Sequence, residues 1–194
     1  PLLEKYFGRL KRGPVAPEVV TLEPKALGEK RYYAEAETSP TVRVWWQAVP
    51  IVHKDFAVLD LMTDILSGRT GRLTKALVLD KKIANTAQAY VNAQKYGGVL
   101  GAEVVVKDGQ DPKAVEAALY EVLEKLKTEP VPDAELQKVK NQAKANAYRR
   151  LSNGTFIMFQ LLQNEGTGDW KMINTQSEAV DAVKGLRQRR LHKA

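Results

Sequence analysis

Hydrophobic and polar positions alternate with two distinct periods along the chain. Between residues 54 and 67 the apolar residues Phe56, Leu59, Met62, Ile65 and Leu66 recur at helical spacing, which predicts an amphipathic helix. A second helix is predicted over 70–81, with Leu73, Leu77 and Ile83 apolar near its end. Arg31–Glu37 and Thr41–Val49 instead alternate with period two and are rich in β-branched and aromatic residues, which predicts strands broken at Ser39-Pro40. Asn85–Ala93 and Val99–Lys107 repeat that pattern around Tyr96-Gly97-Gly98, a hairpin signal. Asp111-Pro112 then supplies an N-cap and a first-turn proline for a helix carrying Val115, Leu119, Val122 and Leu126. Pro130–Pro132 ends it, and Pro132, Asp133 and Glu135 open the next, with Leu136, Val139, Ala143 and Ala147 on one face. Asn153-Gly154 marks a break before an apolar helix over 155–164, and a short helix is predicted over 176–184. At the other end, residues 2–10 resemble the last turns of a helix, and the proline-rich segment 13–24 reads as an extended linker.

Strand pairs thus alternate with helix pairs, and no internal repeat is visible. A wholly parallel sheet is unfavoured by the hairpin. The predicted class is α+β, with helices packed on one face of a mostly antiparallel sheet. The 194 residues suit one domain over 1–183, followed by a basic tail, 184–194. That tail holds five Lys/Arg and no acid, most of the chain's net charge of +7. The charge is therefore not a stripe laid over the fold, which argues against a nucleic-acid-binding domain, the basic alternative. Trp45 and Trp46 are neighbours on a strand and point to opposite faces, one inward and one toward a covering helix or partner domain. A stacking platform for bases needs its aromatics on one face.

Candidate chemistry is sparse. With no Cys, disulfides, thiolate metal sites and thiol catalysis are excluded. No apolar run approaches the roughly 20 residues of a membrane span. No signal peptide is visible, but the chain opens on Pro1, so this absence carries little weight. The two histidines, His53 and His192, are far apart, and neither opens a His-x-x-Glu-His motif. No metal site and no Ser/His/Asp catalysis is predicted. Ser67-Gly68-Arg69-Thr70-Gly71-Arg72 is Gly-rich, but it lacks the Gly-Lys-[Ser/Thr] ending of a phosphate loop. It reads as a helix–helix turn, with Gly68 capping the first helix.

Several features in order resemble one family. They are Tyr6-Phe7-Gly8 after the first helix, Gly28-Glu29 before the first strand, a strand ending at Pro50, and a helix ending in Ile65-Leu66-Ser67-Gly68. The Gly71-Arg72-Leu73 turn and the Asp111-Pro112 helix followed by Pro132-Asp133-Ala134-Glu135-Leu136 complete the set. Together they resemble the non-zinc, C-terminal domain of the pitrilysin/insulinase-type zinc metallopeptidases. The resemblance implies one half of a clam-shell metallopeptidase of bacterial type, with the periplasm favoured over the cytoplasm and the compartment left open. Zinc is then expected in a zinc-bearing N-terminal domain or partner subunit, and none in this chain. It also implies that Ser67, Gly68, Arg69, Gly71 and Arg72 face the chamber and approach peptide substrate. An exposed sheet edge would offer such a peptide main-chain hydrogen bonds. An Arg and a Tyr that follow this turn in many relatives fall here on Val78 and Asn85, a departure that suits the C-terminal half of a zinc-bearing chain. A catalytically dead family member acting as a scaffold subunit is the alternative, and a dimer stays open.

Overall fold

The computed structural model describes residues 2–11, 13–15, 17 and 23–183; the basic tail and His192 lie outside the described residues. Among the described residues, six α-helices, one π-helix and three strands follow in the order α1 (Leu2–Phe7), β1 (Thr41–Ala48), α2 (Phe56–Leu66), the π-helix (Thr74–Asp80), β2 (Ala84–Ala93), β3 (Gly98–Val106), α3 (Pro112–Thr128), α4 (Asp133–Leu151), α5 (Gly154–Thr167) and α6 (Met172–Ala182).

The strands form one antiparallel sheet in the order β1-β3-β2. β2 and β3 make the expected hairpin, closed by Gln94 N–H donating to Gly97 O at 2.7 Å. β1 adds to the far side of β3, with Trp45 opposite Gly101. Alternation decides the faces. Leu100, Ala102, Val104 and Val106 of β3 are buried, as are Ala87 and Ala89 of β2, and Val42, Val44 and Trp46 of β1 pack against them. The intervening residues turn to an open face. There Trp45 is exposed and donates through Nε1 to the Tyr90 hydroxyl at 2.7 Å. Gly101 makes that contact possible: a Cβ there would lie 2.4 Å from the Tyr90 ring.

α2 contributes Leu61, Met62, Ile65 and Leu66 to the core, and α3 contributes Val115, Leu119, Val122 and Leu126. α2 packs on β2 with one side and on α4 and α6 with another, so it is a central helix. The Asp111 carboxylate caps α3 by accepting from Lys113 N at 3.0 Å, as the Asp-Pro signal predicts. At the far end, the buried Lys140 of α4 donates to the carbonyls of Asp181 and Val183 at 3.0 and 2.5 Å, tying down the end of α6.

Three expectations are corrected. Arg31–Glu37 is extended but unpaired, not a strand: Tyr32 and Tyr33 are exposed, and Arg31 reaches Glu116 of α3 at 2.8 Å instead. Alternation favours extended backbone, yet a strand needs a ladder partner, and none lies beside this segment among the described residues. The helix expected over 70–81 is widened from Thr74 to Asp80, where Lys81 N–H reaches back to Ala76 O at 3.0 Å. The last helix opens at Met172, four residues before its expected start.

Candidate functional site

The turn leaving α2 was singled out by sequence, and its residues have different fates. α2 stops at Leu66 because Ser67 turns extended (ψ 175°) and Gly68 takes φ +80°, the left-handed conformation glycine adopts without penalty. The chain then folds back on its own helix end. A Cβ on Gly71 would lie 2.1 Å from Ser67 O and 2.5 Å from Leu66 O, so only glycine fits there.

Ser67 faces the sheet. Its hydroxyl accepts from Ala89 N and donates to Ala89 O, both at 2.7 Å. Thr74 Oγ1 donates to Ala87 O at 3.3 Å. Ala87 and Ala89 point these groups away from β3, so the two hydroxyls satisfy the outer edge of β2. Arg72 turns to α4 and grips Glu135 with two bonds, Nε to Oε1 at 3.1 Å and Nη2 to Oε2 at 2.6 Å. Those bonds hold the guanidinium in its charged form against the pull of partial burial. Thr70 accepts from Lys138 Nζ at 2.6 Å. Arg69 alone in the turn presents an exposed charged side chain with no hydrogen bond or ion pair among the described residues.

These residues rim a depression of about 330 Å³ between the end of α2 and α4, with Asp64, Ser67–Thr70, Glu135 and Lys138 in its wall. Asp64 stands at the lip, with Asp60 one turn before it on α2. Burial raises the Asp60 carboxyl above its ordinary range, partly offset by Arg150 of α4. Asp64 is pushed up to about 6, first by desolvation and then by the Asp60 charge, with Arg150 opposing. The sequence signal for this pair was two carboxylates at i and i+4 on an otherwise apolar helix, and the sequence reading passed over it.

The side chains with hydroxyl or imidazole groups near the turn have local partners. Ser67 Oγ is committed to backbone, and His53 sits in the loop before α2, where its Nδ1 accepts from Asp55 N at 3.1 Å. Among the described residues no group of three or more His, Asp and Glu is placed to hold a metal ion. Val78 of the π-helix packs against the core and Asn85 of β2 is exposed. None of the described helices is long and apolar enough to cross a membrane.

The sequence model of the family described as the peptidase M16 inactive domain matches residues 1–143. No curated protein matches the chain. Among solved structures, the fold is similar to the inactive peptidase domain of a candidate zinc protease from Bordetella parapertussis. That match has 24% identity and a TM-score of 0.70, and covers 78% of this chain and 81% of that one. It is also similar to a protease from Helicobacter pylori (22% identity, TM-score 0.86), covering 94% of this chain but 45% of that one. The periplasmic protease PqqL from Escherichia coli shares the fold at 11% identity and a TM-score of 0.59, over 74% of this chain and 16% of its own. The chain thus spans less than half of the Helicobacter pylori protease it resembles. With three quarters of its length matched by the family model, and with the turn and strand order that resembled the pitrilysin type, the chain belongs to the M16 metallopeptidase family as an inactive domain.

Proposed function

We propose that this domain closes the proteolytic chamber of a zinc metallopeptidase and confines an extended peptide against a zinc-bearing partner domain. The carrying observation is the turn at 67–72 in a domain of the inactive class. Ser67, Gly71 and Arg72 are tied to β2, α2 and α4, while Arg69 stands unpaired at the rim of the depression. A cation on a rigid support offers guanidinium donors to peptide carbonyls or to an acidic side chain at little cost in ordering. Gly68 beside it leaves backbone accessible, since nothing lies within 4 Å of its missing Cβ.

In this reading the domain performs no bond cleavage. Its contribution is to orient the peptide and to exclude water from the partner's site. The zinc and its general base belong to the partner, and this chain's part ends at binding. The periplasmic fold relative supports a periplasmic setting, which cell fractionation of the parent protein would check.

The test uses the full-length parent protease with both halves present. Arg69→Ala should lower peptide turnover by about tenfold, the worth of one charge-assisted hydrogen bond of roughly 1.5 kcal/mol. Zinc content and thermal stability should stay unchanged. Turnover equal to the parent's would remove Arg69 from substrate handling and, with it, this reading of the turn.

A further inference from the structure

Four charged side chains stand in the wall of the depression between α2 and α4, and the fold uses two of them. Glu135 is held by Arg72 through two bonds, and Lys138 donates to the Thr70 hydroxyl. Asp64 and Arg69 remain, opposite in sign, with no hydrogen bond or ion pair to each other or elsewhere among the described residues. The same wall includes the buried Ile65 and Val139, 2 and 6% exposed, which supply an apolar lining. At about 330 Å³ the space is at the lower end for ligand sites, about 300–1,000 Å³, and suits one long side chain rather than a whole ligand.

The charge of Asp64 is costly while the depression is empty. Partial burial strips water from the carboxylate, and Asp60, one turn earlier on α2, repels it. Arg150 of α4 opposes these effects without cancelling them, and neither Arg69 nor Lys138 is among the charges that act on Asp64. An entering cation would offset both costs. An acidic side chain inside would meet Asp64 and Asp60 with like charge, and a neutral one would leave the carboxylate as it stands. Arg69 can receive an acid or a carbonyl at the rim without any guest in the depression.

We propose that this depression is the pocket for a basic side chain, lysine or arginine, of the confined peptide. Asp64 receives the cation, Ile65 and Val139 pack the aliphatic stem, and Arg69 at the rim holds a carbonyl of the same peptide. The inference rests on the chamber reading above for the peptide, and adds what that peptide must carry. Asp64 is thus the residue that sets the preference, and Arg69 the one that serves any sequence.

The test uses the full-length parent with a chelator present, so that bound peptide stays whole. Fluorescein-capped peptide pools with randomised neutral flanks would be titrated and followed by fluorescence anisotropy. The pools differ only in a central lysine, norleucine or glutamate. The cap removes the free amino terminus, so any preference belongs to the side chain. The lysine pool should bind about tenfold tighter than the norleucine pool, the worth of one charge-assisted contact. Asp64→Asn should bring that ratio to about twofold or less, while Asp64→Glu, which keeps the charge, should retain most of it. Circular dichroism would confirm that both variants fold. Equal affinity for the lysine and norleucine pools, tighter binding of the glutamate pool, or a lysine preference that survives Asp64→Asn would each overturn the proposal. Absence of binding by all the pools would do the same. Binding needs no turnover, so the two readings fail separately. A lysine preference erased by Asp64→Asn, in a parent whose turnover ignores Arg69→Ala, would keep the pocket and remove Arg69 from substrate handling. A slower Arg69→Ala enzyme whose parent shows no lysine preference would keep the chamber reading and sink the pocket.

Discussion

Arg72→Ala should loosen the fold rather than blunt substrate handling. The guanidinium and the Glu135 carboxylate meet through two bonds, 3.1 and 2.6 Å long, with side chains 21 and 29% exposed. A fully exposed pair contributes up to about 1 kcal/mol, and breaking a fully buried one costs about 3–5 kcal/mol. Partial shielding and bidentate geometry place this pair at about 1–2 kcal/mol. The truncation also removes the arginine stem from the seam between the π-helix and α4. For a chain of this size each kcal/mol moves the unfolding midpoint by about 2–4 °C, so the expected fall is about 2–8 °C. Thermal and urea unfolding of Arg72→Ala, Glu135→Gln and the double variant would form a double-mutant cycle. The coupling energy should be about 1 kcal/mol and should shrink at high salt, because both groups retain solvent contact. A coupling near zero would refute the structural assignment. So would a parent protease carrying Arg72→Ala that keeps its midpoint but loses turnover, which would hand the residue to the substrate.

Gly71→Ala should destabilise by about 2 kcal/mol or more, since its methyl would collide with backbone, whereas Gly68→Ala should cost only about 1 kcal/mol for its left-handed φ; urea midpoints of the two variants compare them directly, and equal losses would contradict the geometry. Asp64 has an ordinary carboxyl value of 3.8 and a folded value of about 6, so the folded state holds more protons between those limits and stability should decline as pH rises through that window. Because Asp64 keeps solvent contact the effect should stay below about 1 kcal/mol, and Asp64→Asn should reduce that slope to the part that the raised Asp60 contributes and raise the unfolding midpoint at pH 7; an unchanged slope would assign it elsewhere. Truncation after Val183 should leave the midpoint within the change of about 0.5 kcal/mol typical of surface edits, because the new terminal carboxylate lands beside Lys140 Nζ, 2.5 Å from the present carbonyl; a larger fall would show that the basic tail docks.

What the sequence made legible was local. The Asp111 cap, the Gly68 stop and the Gly97-Gly98 hairpin each depend on neighbours a few residues away, so their chemistry stands in a short window. The class of the fold followed from the alternation of such windows. Pairing is a different matter. The alternation at Arg31–Glu37 shows an extended chain but cannot say that no strand waits beside it. Arg72 was visible as a cation in a turn, yet its partner Glu135 lies 63 positions away, and only folding brings them together. Ser67 looked equally available to a substrate until the free edge of β2 claimed its hydroxyl. Lys140 escaped notice altogether because nothing in a helix sequence marks a lysine that turns inward to hold carbonyls. The π-helix was missed because one extra residue in a turn barely alters an apolar period over seven positions.

The contact between Trp45 and Tyr90 passes over Gly101, so one rung involves all three strands. Apart from Trp46 and Leu100, which stand opposite one another, the inner face of the sheet offers small, interchangeable Ala and Val side chains, which discriminate weakly between neighbouring alignments. A slip of either outer strand by one position would send Trp45 or Tyr90 to the wrong face, and a slip by two would place a side chain under the ring. The notch at Gly101 thus works as an indexing key: it admits one alignment of the hairpin and β1 and penalises the others, on the face that contributes least to the core.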